Sequence, residues 1–322
     1  MTDTKGTSPV TAAFLSPSGS DTFTTSDGAG LHYETWEPRA PVDLDSGSAQ
    51  RPPCIYFFHG ICESAETVTV QRLAARARIE GWRLVVLEHE GHGLSSGARA
   101  VCGDFTRLVA HAREFVHASQ CTGPCRFAIC GHSAGGSVAV YVADALRSTH
   151  GVNMCTGSTL LGAALLAPAV GANPDMVPPR LMVAALRVLA WVAPGVRPPV
   201  TPVEDPSHYA MPLDSTRNFS GRWPLATARM LLDLGPQVAF DRKHGGLGIC
   251  FPVLVVAGKS DHVVPMAAIE AVFGDNDGGA TAEGTSGPVE FLRVRGGHQM
   301  VAEKGGDKVV VQIFDWLKRL LK

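Results

Sequence analysis

The segment Gly131-His132-Ser133-Ala134-Gly135 constrains the fold of this chain more than any other feature. It reads G-x-S-x-G, with the apolar run 127–130 directly before it and a helical composition over 134–147 directly after it. A strand-to-helix turn of this kind is so tight that side chains at either glycine would clash, and it lifts the serine oxygen above the sheet edge. The bare motif occurs often by chance, but this context predicts that Ser133 is a nucleophile.

Apolar runs alternate with helical segments on both sides of this turn. Strands are predicted at 54–58, 83–87, 127–130, 160–166, 252–257 and 289–294, with a half-exposed edge strand at 31–36, and helices at 67–79, 104–119, 134–147 and 307–321. Alternation at such short spacing is typical of an α/β protein with a mostly parallel sheet and helices on both faces.

The alternation stops where the chain becomes rich in proline and helical in pattern. We therefore expect a helical cap inserted into one sheet domain, rather than a second independent domain. The predicted boundaries are 1–25 for a flexible N-terminal tail, 26–167 and 249–322 for the α/β core, and 168–248 for the cap.

Two further segments have a distinctive composition. Residues 181–192 of the cap are apolar nearly all round, so this helix either packs wholly inside the cap or presents an apolar face to substrate or lipid. Residues 274–288 are rich in glycine, aspartate and threonine and are typical of a disordered surface loop.

A nucleophilic serine needs a base and an orienting carboxylate, which in this kind of sheet follow it in the order acid, then histidine. Asp261 follows the predicted strand 252–257 in the sequence Gly-Lys-Ser-Asp, and His298 follows the strand 289–294 after two glycines. Open α/β sheets place their chemistry at the carboxyl ends of strands. Ser133, Asp261 and His298 are therefore the predicted triad.

Other residues compete for these roles. Asp261 could instead cap the following helix, and the neighbouring His262 is interpreted as a supporting or surface residue. His150, His208 and His244 also lie beyond Ser133 in the chain, but none of them follows Asp261 at the end of a strand.

The oxyanion of an acyl-transfer reaction needs two preorganised backbone amides. We expect these from Ala134, which follows the nucleophile, and from Ile61, in the loop after the strand 54–58. The residues predicted to line the substrate pocket are His59, Gly60, His132, Leu186 and Val263.

Metal and nucleotide sites are not predicted. His89-Glu90-Gly91-His92-Gly93 resembles a metal cluster, but it lies in a glycine-rich turn rather than on a helix and lacks the H-E-x-x-H spacing. Gly245-Gly246-Leu247-Gly248 lacks the strand–helix frame of a nucleotide loop and is interpreted as a linker. We expect no metal and no cofactor.

A formal net charge of −2 without a basic block also disfavours a nucleic-acid partner.

The compartment is constrained by the cysteines and the N-terminus. Eight cysteines are scattered through the chain, which favours reduced thiols, with a Cys121–Cys125 disulfide as the alternative in an oxidising compartment. The first residues lack the apolar core of a secretory signal, although a transit peptide stays an alternative. The longest apolar stretch, 181–193, is too short and too interrupted to span a bilayer. We expect a soluble cytoplasmic protein that associates transiently with membranes through its cap, of undetermined oligomeric state.

The motifs together resemble the monoacylglycerol lipase-like branch of the α/β hydrolases, which includes plant lysophospholipase and caffeoylshikimate esterase relatives. His59-Gly60 with Glu63 is similar to that family's H-G-x-x-E segment, and 90–97 to its G-H-G-x-S-x-G segment. Gly131–Gly135 reads G-H-S-A-G where many members have G-x-S-M-G, and 258–261 and 297–298 are similar to its later acid and histidine motifs. The resemblance covers about residues 30–321.

The resemblance implies an α/β-hydrolase fold, the triad and a helical cap over an acyl pocket. The implied activity is hydrolysis of a small lipid ester, with monoacylglycerol first, a lysophospholipid second and a phenolic ester third. Three departures leave the acyl length and head group open: Ala134 in place of methionine, a proline-rich cap and the long loop at 274–288. A ligand receptor built on the same fold is the alternative of another class.

Overall fold

A computed structural model describes residues 15–39, 51–120, 123–148, 157–198, 216–219, 221–274 and 288–322. Within these ranges, eight strands form one sheet: β1 (Gly19–Thr24), β2 (Gly30–Trp36), β3 (Cys54–Phe58), β4 (Arg83–Leu87), β5 (Arg126–His132), β6 (Thr159–Leu166), β7 (Val253–Gly258) and β8 (Val289–Val294). Their spatial order is β1-β2-β4-β3-β5-β6-β7-β8. The pairs β1–β2 and β2–β4 are antiparallel, and every later pair is parallel. The prediction of a mostly parallel sheet is confirmed.

Seven α-helices accompany the sheet in the described part of the chain: α1 (Val68–Ile79), α2 (Phe105–Gln120), α3 (Ala134–Ser148), α4 (Arg180–Val192), α5 (Leu225–His244), α6 (Met266–Phe273) and α7 (Gly306–Leu320). Two apolar clusters lie on opposite faces of the sheet. Buried side chains of α2, α3, α5 and α6 belong to one cluster, and those of α1 and α7 belong to the other. Helices therefore cover both faces, as the alternating sequence pattern predicted.

The N-terminal region differs from its prediction. Residues 19–24, assigned to a flexible tail that ended at 25, form strand β1, which pairs along its full length with β2. Strand β2, predicted as an edge strand, consequently lies inside the sheet between β1 and β4. The sequence of β1, GSDTFT, is polar and mostly exposed, so it carries no apolar signal and forms through backbone pairing to β2.

The region predicted as the cap contains a short 3-10 turn (Pro174–Met176) and helices α4 and α5 among its described residues. Helix α5 is fixed to the core. Near its start, Thr227 donates to the Ala100 carbonyl at 2.6 Å and accepts from the Cys102 amide at 2.9 Å. Near its end, Tyr141 donates to Asp241 at 2.6 Å. Helix α4 packs on α5 instead, and only its Ala190 is buried.

Some predictions fall outside the described residues. They concern Cys121, His150, His208 and most of the loop at 274–288. Cys125 is described and carries a free thiol, whose Sγ lies 3.3 Å from Gln120 Oε1. No helix in the described part of the chain is long and apolar enough to cross a membrane.

Candidate active site

Ser133 occupies the turn between β5 and α3, with a left-handed φ of 54°. The glycines around it are required by close backbone contacts. A Cβ at Gly131 would overlap the Gly135 carbonyl, and a Cβ at Gly135 would overlap the carbonyl oxygens of Phe58 and His59 at the end of β3. A non-glycine residue with positive φ is strained, and such strain is concentrated at functional sites. The predicted strand–turn–helix therefore has the geometry of a nucleophile turn.

Asp261 and His298 form a close pair after the ends of β7 and β8. Nδ1 of His298 lies 2.9 Å from Oδ2 of Asp261. The other carboxylate oxygen accepts from the amides of Val263 and Val264, both at 2.8 Å, which fixes its orientation. Burial alone would raise the pKa of Asp261, but the hydrogen bond and charge of His298 hold that pKa below its usual range. An ionised Asp261 leaves Nε2 of His298 as the nitrogen that can accept a proton.

The histidine loop also contacts the nucleophile turn. Nε2 of His132 donates to the His298 carbonyl at 3.0 Å, and the two imidazole centroids are 5.0 Å apart. Since His132 directly precedes Ser133, this contact brings the proposed base next to the proposed nucleophile. The three predicted triad residues thus lie together at the carboxyl ends of β5, β7 and β8.

The loop after β3 lies against the same turn, because Gly135 packs on the end of β3. Ile61 is partly buried against the core, and Cys62 has a left-handed φ of 69°. Within the described ranges, the amides of Ile61 and Ala134 have no hydrogen-bond acceptor in the chain. Free amides at these positions are what an oxyanion site requires, and their role as donors stays a prediction.

His59, predicted to line the pocket, lies among buried side chains directly after β3. It is fully buried; its Nδ1 donates to the Gly60 carbonyl at 2.7 Å and its Nε2 accepts from the His89 amide at 3.2 Å. The rings of His59, His89 and His92 are neighbours, with centroids 4.7 to 6.4 Å apart. Burial lowers the pKa of all three, to about 3 for His92. The lowered pKa values keep all three rings neutral.

The other predicted pocket residues are distributed differently. His132 is also buried, with Nδ1 2.9 Å from the Glu63 carboxylate and Nε2 3.0 Å from the His298 carbonyl. Leu186, on α4, is partly exposed, and Val263 is partly buried against the core. A pocket role for His59, Gly60, His132, Leu186 and Val263 stays a prediction. His262 is exposed.

Two polar clusters were missed at the level of sequence. In the first, the carboxylate of Glu63 contacts Gly60, His132 and Gln299. In the second, the Arg217 guanidinium lies 2.6 Å from both Glu34 and Glu88. A weak signal existed for Glu88, because it is a carboxylate that follows an apolar strand without a break.

The turn from His89 to His92 resembled a metal cluster in its sequence. Within the described ranges, no group of three or more histidine, cysteine, aspartate or glutamate side chains could hold a metal ion. The His89 to His92 turn makes contacts within its own loop, including Nδ1 of His92 to the Glu90 carbonyl at 3.0 Å.

The sheet order, the serine turn and the acid–histidine pair at neighbouring strand ends define an α/β hydrolase. Comparison with known families agrees: the Hydrolase_4 family, described as serine aminopeptidase, S33, matches residues 50–278, and the chain belongs to this family. The resemblance to the monoacylglycerol lipase-like branch is likewise confirmed.

Individual relatives are more distant. A monoacylglycerol lipase of Mycolicibacterium smegmatis is 26% identical over 247 residues, which cover 74% of this chain and 78% of that protein. The fold is similar to a monoglyceride lipase of Saccharomyces cerevisiae solved with a substrate analogue, with a TM-score of 0.73 and 17% identity over 98% of this chain and 99% of the other. A monoacylglycerol lipase of Paleococcus ferrophilus gives a TM-score of 0.66 and 16% identity, over 90% and 99%.

Proposed function

We propose that this protein is a serine hydrolase that cleaves the carboxylic ester of a monoacylglycerol through an acyl-enzyme intermediate. The observation that carries the proposal is the contact of 2.9 Å between His298 and Asp261, next to the strained turn that holds Ser133. Membership of the hydrolase family and the similarity to a bacterial monoacylglycerol lipase support the same reaction.

Acylation begins when Ser133 Oγ attacks the ester carbonyl carbon. Nε2 of His298 takes the serine proton, and the ionised Asp261 stabilises the resulting imidazolium through Nδ1. The tetrahedral intermediate then collapses: the bond to the leaving oxygen breaks, and His298 delivers its proton to that oxygen. Glycerol leaves, and the acyl group stays on Ser133 as an ester.

The negative charge of the tetrahedral intermediate falls on the former carbonyl oxygen. We place this oxygen between the amides of Ile61 and Ala134. One such donor is typically worth roughly 3 kcal/mol of barrier, because it is already oriented before the charge develops.

Deacylation repeats the same steps with water as the nucleophile. His298 takes a proton from a water molecule, which attacks the acyl-enzyme carbonyl. Ser133 Oγ then recovers a proton from His298 as the fatty acid leaves. No cofactor is required, because the proton released in each half-reaction is consumed in the same half-reaction.

Helix α4 supports a lipid substrate. It exposes a set of large apolar side chains, with Leu181 at 87% and Trp191 at 80% exposure. A helix that leaves such side chains in water is typical of a surface that meets lipid. We propose that this face contacts a lipid surface transiently, and that substrate enters the site from there.

Other substrates could be cleaved by the same nucleophile and base. A lysophospholipid and a phenolic ester are the alternatives within the hydrolase class, and an aminoacyl amide represents the activity in the name of the matched family. A ligand receptor on a hydrolase fold is the alternative of another class.

The experiment compares wild-type protein with Ser133→Ala on a panel of p-nitrophenyl esters from acetate to palmitate. It continues with monooleoylglycerol, a lysophosphatidylcholine, a caffeoyl ester and an aminoacyl p-nitroanilide. We expect turnover of monooleoylglycerol in excess of the other natural substrates, and none by Ser133→Ala. If folded wild-type protein turns over no member of the panel, the proposed hydrolase activity is wrong, and a ligand receptor becomes the better hypothesis.

A further inference from the structure

Glu63 is a buried carboxylate that contacts three separate loops of the site. Its Oε2 accepts from the Gly60 amide at 2.8 Å, and its Oε1 accepts from Nε2 of Gln299 at 2.7 Å. The same Oε1 lies 2.9 Å from Nδ1 of His132, approached obliquely, so this contact is ionic rather than a linear hydrogen bond. The three partners are the chain neighbours of the proposed oxyanion donor, base and nucleophile, respectively.

The partners of His132 determine its protonation state. Nδ1 faces the Glu63 carboxylate, and Nε2 faces the His298 carbonyl at 3.0 Å. Both partners are acceptors, and a neutral imidazole carries only one N–H. A lone pair on Nε2 would point at the His298 carbonyl oxygen, and an unprotonated Nδ1 would leave the buried Glu63 carboxylate, 2.9 Å away, without a cation. His132 therefore carries a proton on both nitrogens.

The charges around the pair agree with this assignment. Burial alone would lower the pKa of His132, but Glu63, with a further contribution from Asp261, raises it above its usual value. Burial alone would raise the pKa of Glu63, and the charge of His132 lowers it well below its usual range instead. The other titratable groups that face the pair are His298, beside His132, and the neutral His59, His92 and Cys62, on the side of Glu63.

We infer that Glu63 and His132 form a permanent carboxylate–imidazolium pair that holds the oxyanion loop, the nucleophile turn and the histidine loop in their relative positions. Glu63 is thus a positioning residue: it does not touch the reacting atoms, but it fixes the loops that carry them. The kinetic consequence rests on the proposed function, whereas the ion pair rests on the geometry alone.

Glutamine cannot replace this carboxylate. All three partners of Glu63 are hydrogen-bond donors. The NH₂ group of a glutamine side chain is also a donor, so it would face at least one of these partners without an acceptor between them. The neutral side chain would also leave the His132 cation buried without a counterion. The Glu63→Gln variant should therefore lose the relative placement of the loops while keeping nearly the same volume.

The kinetic arm measures kcat and KM for a soluble p-nitrophenyl ester. We expect Glu63→Gln to lower kcat at least tenfold and to change KM less than twofold, because the contacts of Glu63 place the proposed nucleophile, base and oxyanion donor. The matched control is Glu270→Gln, the same change at a surface ion pair with Arg293, which should leave both constants unchanged. If Glu63→Gln does not fold, Gln299→Met removes one contact of the carboxylate and should lower kcat at least threefold.

The spectroscopic arm needs no activity. In protein labelled with ¹⁵N-histidine, we expect one buried imidazolium with both ring nitrogens protonated at about pH 8. The signal should be absent from His132→Gln and from Glu63→Gln, and retained in Glu270→Gln.

The outcomes separate the two claims. A folded wild-type protein without the imidazolium signal overturns the ion pair, and a kcat within twofold of wild type in a folded Glu63→Gln or Gln299→Met variant overturns the positioning role. If wild-type protein hydrolyses nothing, the proposed function fails, and the spectroscopic arm still decides the ion pair.

Discussion

Nδ1 of His298 lies 2.9 Å from Oδ2 of Asp261, although 37 positions separate the two residues in the chain. The contact exists because β7 and β8 are parallel neighbours, so that the loops after them begin at the same edge of the sheet. It fixes the tautomer of the imidazole and leaves Nε2 free to accept a proton, which is the state that a general base requires.

The first prediction concerns this pair. Asp261→Asn keeps an oxygen for the amides of Val263 and Val264 but presents no charge to His298. We expect kcat for a soluble ester to fall about 10⁴-fold, as for other serine–histidine–aspartate sites, with little change in the denaturation midpoint. Asp307→Asn, at an exposed aspartate, is the control. A loss of less than tenfold would remove Asp261 from the triad.

The second prediction concerns the turn that holds the nucleophile. A Cβ at Gly135 would meet the carbonyl oxygens of Phe58 and His59, which belong to the backbone and cannot move aside. We expect Gly135→Ala to lower the free energy of unfolding by about 4 kcal/mol or more and to abolish activity. Gly195→Ala, where a Cβ has no neighbour within 4 Å, should change neither. Urea unfolding measures the stability of both variants, and equal stability of the two would contradict the close contacts at Gly135.

The third prediction concerns the segment 216–219. Arg217 is paired there with Glu34 and with Glu88, which is completely buried. Arg217→Met would leave both carboxylates without a cation, and we expect a loss of about 3–5 kcal/mol in the free energy of unfolding. Arg187→Met breaks the exposed pair of α4 with Asp233 on α5 and should cost about 1 kcal/mol or less. Similar losses in both variants would show that the buried cluster does not stabilise the fold.

The fourth prediction concerns acid stability. Burial lowers the pKa of His92 to about 3, so between the ordinary value of 6.5 and about 3 the unfolded chain binds a proton that the folded chain does not. This histidine therefore reduces stability as the pH falls through that window. Between about pH 7 and pH 5, the free energy of unfolding of His92→Phe should fall by about 2 kcal/mol less than that of wild type, as measured by urea unfolding. An unchanged His92→Phe profile would contradict a neutral His92.

The fifth prediction concerns the exposed face of α4. A double substitution of Leu181 and Trp191 by glutamine should weaken co-sedimentation with phosphatidylcholine–phosphatidylglycerol vesicles at least tenfold, since each apolar side chain buried in lipid contributes about 1.5–3 kcal/mol. Turnover of p-nitrophenyl acetate should stay at the wild-type rate. The control is Phe240→Gln, an exposed aromatic residue on α5. Equal binding by the double variant and wild type would remove the lipid role of α4.

The sequence predicted the parallel part of the sheet well because its signals there are local. Strands β3, β4 and β8 have the bounds that their apolar runs predicted, and the serine, acid and histidine motifs each follow a strand directly. Parallel strands bring their carboxyl ends to one edge, so short motifs that lie far apart in the chain could be assigned to one site.

What the sequence did not predict depends on long-range pairing. Strand β1 has a polar sequence that becomes a strand only because β2 offers it a free edge. Arg217 meets Glu88 across 129 positions and Gln299 meets Glu63 across 236, and nothing in the local sequence of either partner indicates the other. The burial of His59 and His132 was missed for the same reason: adjacency to a motif does not show which side of the loop a side chain occupies.

The central claim, that Ser133 is the nucleophile, is tested most directly by intact-mass and peptide mapping of protein treated with a fluorophosphonate. The account predicts one adduct per chain, on the peptide that contains Ser133, formed by wild-type protein and not by Ser133→Ala. Folded wild-type protein that takes up no fluorophosphonate, or takes it up at another residue, would contradict it.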